Sequence, residues 1–157
     1  MADSDLAATV HHSGGNYPVV AGWGTIHTLG DRFTDLGLTN TAYIITDTNV
    51  MNLYGRNVQR ALQKRGIPAH CFIIPAGETS KSFELAQGIY HWLAELKAER
   101  GHTIVSVGGG VAGDLGGFIA APYLRGMPFV QVPTSMAAMV DASIGGKVAV
   151  NLPQAKN

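Results

Sequence analysis

The chain carries little charge. Asp, Glu, Lys and Arg make up 14% of its 157 residues, and 11 acids balance 11 bases. Sparse, cancelling charge argues against a basic nucleic-acid face and against an acidic tail. Cysteine is scarcer still: Cys71 stands alone, inside the apolar run HCFIIP. One thiol builds no disulfide framework within a chain, and its setting reads as a small buried side chain. No apolar run reaches the roughly 18 residues of a membrane span. The opening MADSDLAATVHHSGG is acidic and polar, without the basic start and apolar middle of a secretory leader. Repeats, low-complexity tracts and linkers are absent. The six histidines make no metal pattern: His11 and His12 are adjacent, and His27, His70, His91 and His102 fall in separate elements. A zinc site needs three or four convergent ligands. What remains is a cytoplasmic protein with neither membrane nor nucleic acid as partner. Its length suits one domain able to bury its own core.

Glycine is plentiful, 20 residues in all, and it punctuates a regular alternation. Residues 1–16 read as a flexible N-terminus. YPVVAG is a short strand. TIHTLGDRFTDLG places Ile26, Leu29, Phe33 and Leu36 at helical spacing, closed by Gly37. TAYIIT is a strand that runs into DTNV. A helix over residues 50–65 would bury Val50, Leu53, Val58 and Leu62 before Gly66 and Pro68 end it. HCFIIP is the next strand, and PAGETSKSF a loop in which Ser80 or Ser82 caps the following helix. That helix, residues 83–100, carries Leu85, Ile89, Trp92, Leu93 and Leu96 on one stripe and stops at Gly101. HTIVSVG, GVAGDLGGFIAA and MPFVQVP continue as strand, helix and strand. Apolar strands alternating with helices predict an α/β fold: a Rossmann-like, mostly parallel sheet with helices on both faces. Ligands of such sheets bind beyond the carboxyl ends of the strands. DTN, PAGE, GGGVAGD and PTS therefore share one edge, in a single α/β domain over residues 17–157.

The three glycines Gly108, Gly109 and Gly110 end a strand and open a helix. Without Cβ atoms the backbone N–H groups can approach a ligand, and the helix start favours an anion. The spacing is neither G-x-G-x-x-G nor a P-loop, so a tight turn without ligand stays open. Asp114, one turn later, is either an acid favoured by the helix dipole or an acceptor for a hydroxyl. Gly116 and Gly117 read as close packing against the sheet or a second subunit. Asp47 either caps the following helix or accepts from a ribose diol with Asn49 beside it. Glu78 and Lys81, three apart in a loop, form a solvated ion pair or contact a ligand. PTSMAAMVDASIGGKVAVNLPQAKN concentrates groups that bind polyols and phosphates: Thr134, Ser135, Asp141, Ser143, Lys147, Asn151, Lys156 and Asn157. Gly145 and Gly146 permit a tight turn that presents the Lys147 ammonium, a compact charge suited to phosphate.

GGGVAGDLGGFIAAPYLRG, then VPTSMAAMVDASIGGKVAVN and the closing AKN, resemble 3-dehydroquinate synthase, a sugar phosphate cyclase. DTNV and PAGETSKS match two more signatures of that family at the right places. The resemblance covers residues 17–157. It implies an NAD-dependent lyase of the shikimate pathway, which leads to chorismate and the aromatic amino acids. The substrate would be 3-deoxy-D-arabino-heptulosonate 7-phosphate and the products 3-dehydroquinate and phosphate. One alcohol is oxidised transiently, phosphate is eliminated, and ring opening and an aldol step follow. A divalent metal, zinc or cobalt, acts as Lewis acid. Asp47 and Asn49 would contact the adenosine side of NAD, with Glu78 and Lys81 nearby. Gly109, Gly110, Val111 and Asp114 would cradle the pyrophosphate and nicotinamide ribose, with Thr134 and Ser135 along the cofactor. Asp141, Lys147 and Asn157 would face substrate, and Lys156 would lie close to both ligands. Arg125 would reach the substrate phosphate of the partner in a homodimer.

The sequence departs from the family pattern in places. PTS replaces PTT, Pro122 precedes YLRG where it should end the helix, and KVAVNLP replaces KTGVNHP. The resemblance implies members about twice as long, with metal ligands in a helical C-terminal domain expected to lie outside this sequence. The expectation is an NAD-binding half, inactive alone and without a metal set of its own. The alternatives are another sugar phosphate cyclase, a metal-dependent alcohol or glycerol dehydrogenase, and a non-catalytic nucleotide-binding module.

Overall fold

A computed structural model describes residues 5–152 together with residues 154–155. Six strands and five α-helices follow in order: β1 Leu6–His12, β2 Gly15–Val20, α1 Leu29–Asp35, β3 Ala42–Asp47, α2 Thr48–Val50, α3 Arg56–Gln63, β4 Ala69–Ile74, α4 Phe83–Glu95, β5 Thr103–Gly108, α5 Gly110–Ala120 and β6 Phe129–Pro133. The last four strands form one sheet in the order β4-β3-β5-β6, all parallel.

Alternation along the strands divides the core in two. From β3, Tyr43 and Ile45 face a cluster with Ala86, Ile89, Leu93, Leu115 and Ile119 of α4 and α5. Ala42 and Ile44 face the other side, against Phe33, Val58 and Leu62 of α1 and α3. Both faces are thus covered, as continuous apolar strands require. Burying each of the large aliphatic side chains contributes roughly 1.5–3 kcal/mol.

Three helices end in the same way. Gly37 and Leu38 donate to Thr34 and Phe33 carbonyls, and Gly66 and Ile67 to Gln63 and Leu62. This is the Schellman pattern, with glycine at positive φ (71° and 73°). After α4, Lys97 (φ 52°) takes that position, and Lys97 and Ala98 donate to Ala94 and Leu93. The helix therefore stops at Glu95, ahead of the Gly101 stop expected from sequence. Ala98 packs onto the core that buries Leu93, which favours the early ending.

Three expected core positions are exposed: Leu36 (48%), Leu53 (63%) and Leu96 (37%). Leu53 sits in a π-helical turn, Met51–Gly55, between α2 and α3. The extra residue of a π turn rotates the buried face, so Met51 and Gly55 point inward instead. Pro122 behaves as expected, following α5 directly and preceding a short 3₁₀ turn, Tyr123–Arg125.

The N-terminus differs most from its reading as flexible. Residues 6–20 form an antiparallel hairpin, with His12 opposite Gly15 and Val10 opposite Tyr17. Ser13 and Gly14 supply its two-residue connection, a glycine-bearing loop of the kind that closes hairpins. Asp5 anchors the base, its carboxylate accepting from Arg32 at 3.0 Å. β1 is mostly exposed and lacks the apolar run that marks a buried strand, whereas the YPVV run of β2 is partly buried and falls in the strand expected over residues 17–22.

Candidate functional site

Chain order fixes where a ligand can enter. After β3 the chain crosses to β4 on one side, then returns to β5 on the other. The connections diverge between the carboxyl ends of β3 and β5, and a crevice opens at such a switch point. Asp47 ends β3, and Gly108 ends β5.

Asp47 is the N-cap of α2. Its Oδ1 accepts from the N–H groups of Asn49 and Val50 at 2.8 and 2.9 Å. The capping reading therefore holds for one oxygen. The other, Oδ2, lies 3.7 Å from where a Cβ on Gly108 would stand. That Cβ would also come within 2.7 Å of Ala112 Cβ, so Gly108 is small for packing reasons as well. Gly109 is the N-cap of α5, with extended backbone. A Cβ there would stand 3.4 Å from Ser135 Oγ, and one on Gly110 3.8 Å from Ala142 Cβ. Neither glycine is needed for the protein's own packing, so both leave backbone open to a guest. Thr134 donates its N–H to the Gly108 carbonyl at 2.9 Å, which fixes the loop after β6 beside the turn. Val111 packs against the core, so only its backbone faces this edge.

The loop after β4 comes in from the other side. Ser82 caps α4, its Oγ accepting from Leu85 N–H, while Ser80 donates to the Pro75 carbonyl at 2.6 Å. Lys81 N–H donates to the Glu78 carbonyl at 3.1 Å, but in the contacts described the two side chains take other partners. Lys81 Nζ donates to Asp114 Oδ2 at 2.5 Å, in a pair whose side chains are 5% and 19% exposed. Asn151 donates through Nδ2 to Glu78 at 2.9 Å and through its backbone N–H to the Lys81 carbonyl at 2.7 Å. Asn151 was named in sequence only as one of many polar groups; the 73 positions separating it from Glu78 carry no signal of this bond.

Asp141 and Lys147 form an ion pair, with both side chains mostly exposed. Their loop is held at two points. Gly145 donates to Tyr17 Oη of the hairpin at 3.1 Å, and Val148 fills the space above Gly117. Tyr17 had no sequence signal for this role. Arg125 stands apart. It follows the far end of α5, whose 11 residues put about 16 Å between it and the glycine turn. Its side chain is exposed, and Leu124 and Arg125 both hold positive φ, 50° and 67°. Lys156 and Asn157 lie outside the described residues. Among the described residues no three His, Cys, Asp or Glu side chains converge to hold a metal. Nor is any helix there long and apolar enough to cross a membrane. Cys71 is half-buried, and burial pushes its thiol above the ordinary range, a shift Arg56 partly opposes.

Fold and edge together define a doubly wound α/β domain with a glycine turn and flanking carboxylates at its switch point. Comparison with known proteins makes this specific. The 3-dehydroquinate synthase N-terminal family model matches residues 71–157. A 3-dehydroquinate synthase of Symbiobacterium thermophilum is 46% identical over 142 residues, covering 90% of this chain and 40% of its own length. Among solved structures, a 2-epi-5-epi-valiolone synthase of Streptomyces hygroscopicus subsp. jinggangensis, with NAD and zinc bound, is 29% identical. Its TM-score is 0.79, over 97% of this chain and 41% of that one. A 2-deoxy-scyllo-inosose synthase complexed with carbaglucose-6-phosphate, NAD and cobalt superimposes with TM-score 0.87 at 24% identity, over 96% and 40%. The chain belongs to the 3-dehydroquinate synthase family, in its N-terminal domain, and spans about 40% of the length of the relatives it matches.

Proposed function

We propose that this chain is the dinucleotide-binding part of a 3-dehydroquinate synthase, and that its switch-point edge holds NAD. The observation that carries the reading is the grouping of Asp47, the turn at Gly108, Gly109 and Gly110, and Ser135 around one crevice. A cradle that tolerates no Cβ for a guest's sake, placed at a helix start, suits a pyrophosphate. The valiolone synthase that shares this fold was solved with NAD bound.

NAD, when bound, supplies a hydride acceptor, and later a donor, for one substrate alcohol. The chain's own part is binding and orientation. Asp47 and Asn49 sit where the adenosine ribose would lie, and Glu78 is held nearby by Asn151. Gly109, Gly110 and the backbone of Val111 face the pyrophosphate. Asp114, Thr134 and Ser135 line the nicotinamide side. Asp141 and Lys147 meet the sugar phosphate, 3-deoxy-D-arabino-heptulosonate 7-phosphate, and the exposed Lys147 ammonium suits its phosphate. Lys156 and Asn157 complete this set in the proposal.

In this reading residues outside this sequence would hold the family's zinc or cobalt, and the chain alone would not turn over. Met136, Met139 and Val140, exposed beside Asp141, support a packing surface for further protein. Arg125, exposed beyond the end of α5, would in this reading serve the second subunit of a homodimer. The setting of this pathway enzyme is the cytoplasm.

Titration of the isotope-labelled chain with NAD, followed by amide chemical shifts, tests the proposal. Perturbations should map to Asp47, Asn49, Gly109, Gly110 and Ser135. Perturbations confined to other surfaces, or none from a folded chain, would overturn it.

A further inference from the structure

Two carboxylates flank the turn at which the proposed function seats a pyrophosphate. An anion at the start of α5 would meet Asp47 on one side and Asp114 one turn along. Both carboxylates are already engaged. Asp47 Oδ1 accepts from two backbone N–H groups of the helix it caps. Asp114 Oδ2 accepts from Lys81 Nζ at 2.5 Å, and Lys81 is only 5% exposed. The family resemblance places Lys81 among the groups near the cofactor. The geometry points to a different role: we propose that Lys81 is a positioning residue that neutralises and aims Asp114. Asp114 can then accept from a ribose hydroxyl without repelling the phosphates beside it.

The loop that carries Lys81 is built to hold it there. Its carbonyl accepts from Asn151 N–H at 2.7 Å, and Ser82 pairs with Asn151 in a parallel bridge. Asn151 Nδ2 fastens Glu78 at 2.9 Å, and Ser80 Oγ fastens the loop to the Pro75 carbonyl. Three segments far apart in sequence thus converge on one ammonium–carboxylate contact. At low exposure such a contact is screened little by water or salt, so its loss leaves a carboxylate whose field reaches the bound phosphates.

This inference rests on the NAD reading, and its test separates the two. NAD affinity is measured by calorimetry for the wild-type chain, Lys81→Met, Asp114→Asn and the double variant, each confirmed folded by its thermal melt. Lys81→Met should weaken binding by at least about tenfold. The double variant should bind about as well as Asp114→Asn alone. A double variant as weak as Lys81→Met overturns the positioning role and makes Lys81 a direct ligand or a purely structural cation. If the folded wild-type chain binds no NAD, the functional reading itself fails and this inference falls with it.

Discussion

Val148 lies where a side chain on Gly117 would be. A Cβ built on Gly117 would overlap Val148 Cγ1 and come within 3.1 Å of Val148 Cβ and 3.0 Å of Phe129 Cε1. The absence of one side chain in α5 thus seats the loop that carries Lys147. Gly117→Ala should gain up to about 1 kcal/mol of helix propensity but lose roughly 1–3 kcal/mol to overpacking. A net fall in melting temperature is expected, with faster hydrogen exchange around Gly145, whose N–H is held by Tyr17. A stabilised protein with unchanged exchange would show that Val148 yields freely.

Asp47 has two oxygens with different surroundings, and substitution separates them. Asp47→Ala removes the cap of α2 and should cost about 1 kcal/mol. Asp47→Ser keeps a capping oxygen and should cost less than half as much. Both lose the carboxylate oxygen that faces Gly108, so both should bind NAD more weakly. Equal stability losses in the two variants would contradict the capping role.

Alkaline pH should destabilise the fold. Burial pushes the Tyr43 phenol above its ordinary value, with charge on Tyr123 and Glu99 acting the same way, and burial does the same to Tyr90. A phenol with a raised native pKa keeps its proton longer in the folded chain than in the unfolded one. From about pH 10 upward the unfolded chain ionises first, so stability falls as pH rises. Below that range these two groups add no pH dependence. Melting temperatures followed from about pH 8 to about pH 11 check this, and Tyr43→Phe should flatten the decline. A flat or rising profile in the wild-type chain would contradict it.

Much of the architecture was legible in the residues. Alternating apolar strands and helices specify a parallel sheet covered on both faces, and the edge shared by DTN, PAGE, GGG and PTS follows from strand direction alone. Gly37 and Gly66 announced two helix ends. Lys97 did not announce the third, because its turn is stabilised by the contacts of Leu93 and Ala98 and not by glycine. The first strand of the hairpin was missed because it is too exposed to carry an apolar run, although Ser13, Gly14 and Gly15 held the turn signal; the second, over YPVV, was legible. In the site, single residues named their positions but not their partners. Lys81 chose Asp114 over the nearby Glu78, and Glu78 took Asn151, because packing brings together segments that sequence separation hides.

The measurement closest to the central claim is calorimetric titration of NAD into the 157-residue chain and its Gly110→Val variant. Gly110 is suited to the purpose. A Cβ there stands 3.8 Å from its nearest neighbour, so the variant should fold while its side chain fills the cradle. Saturable binding by the wild-type chain, lost in a variant with an unchanged melting temperature, is the predicted result. Equal binding by both proteins, or none by the folded wild-type chain, would contradict a dinucleotide seated on the glycine turn.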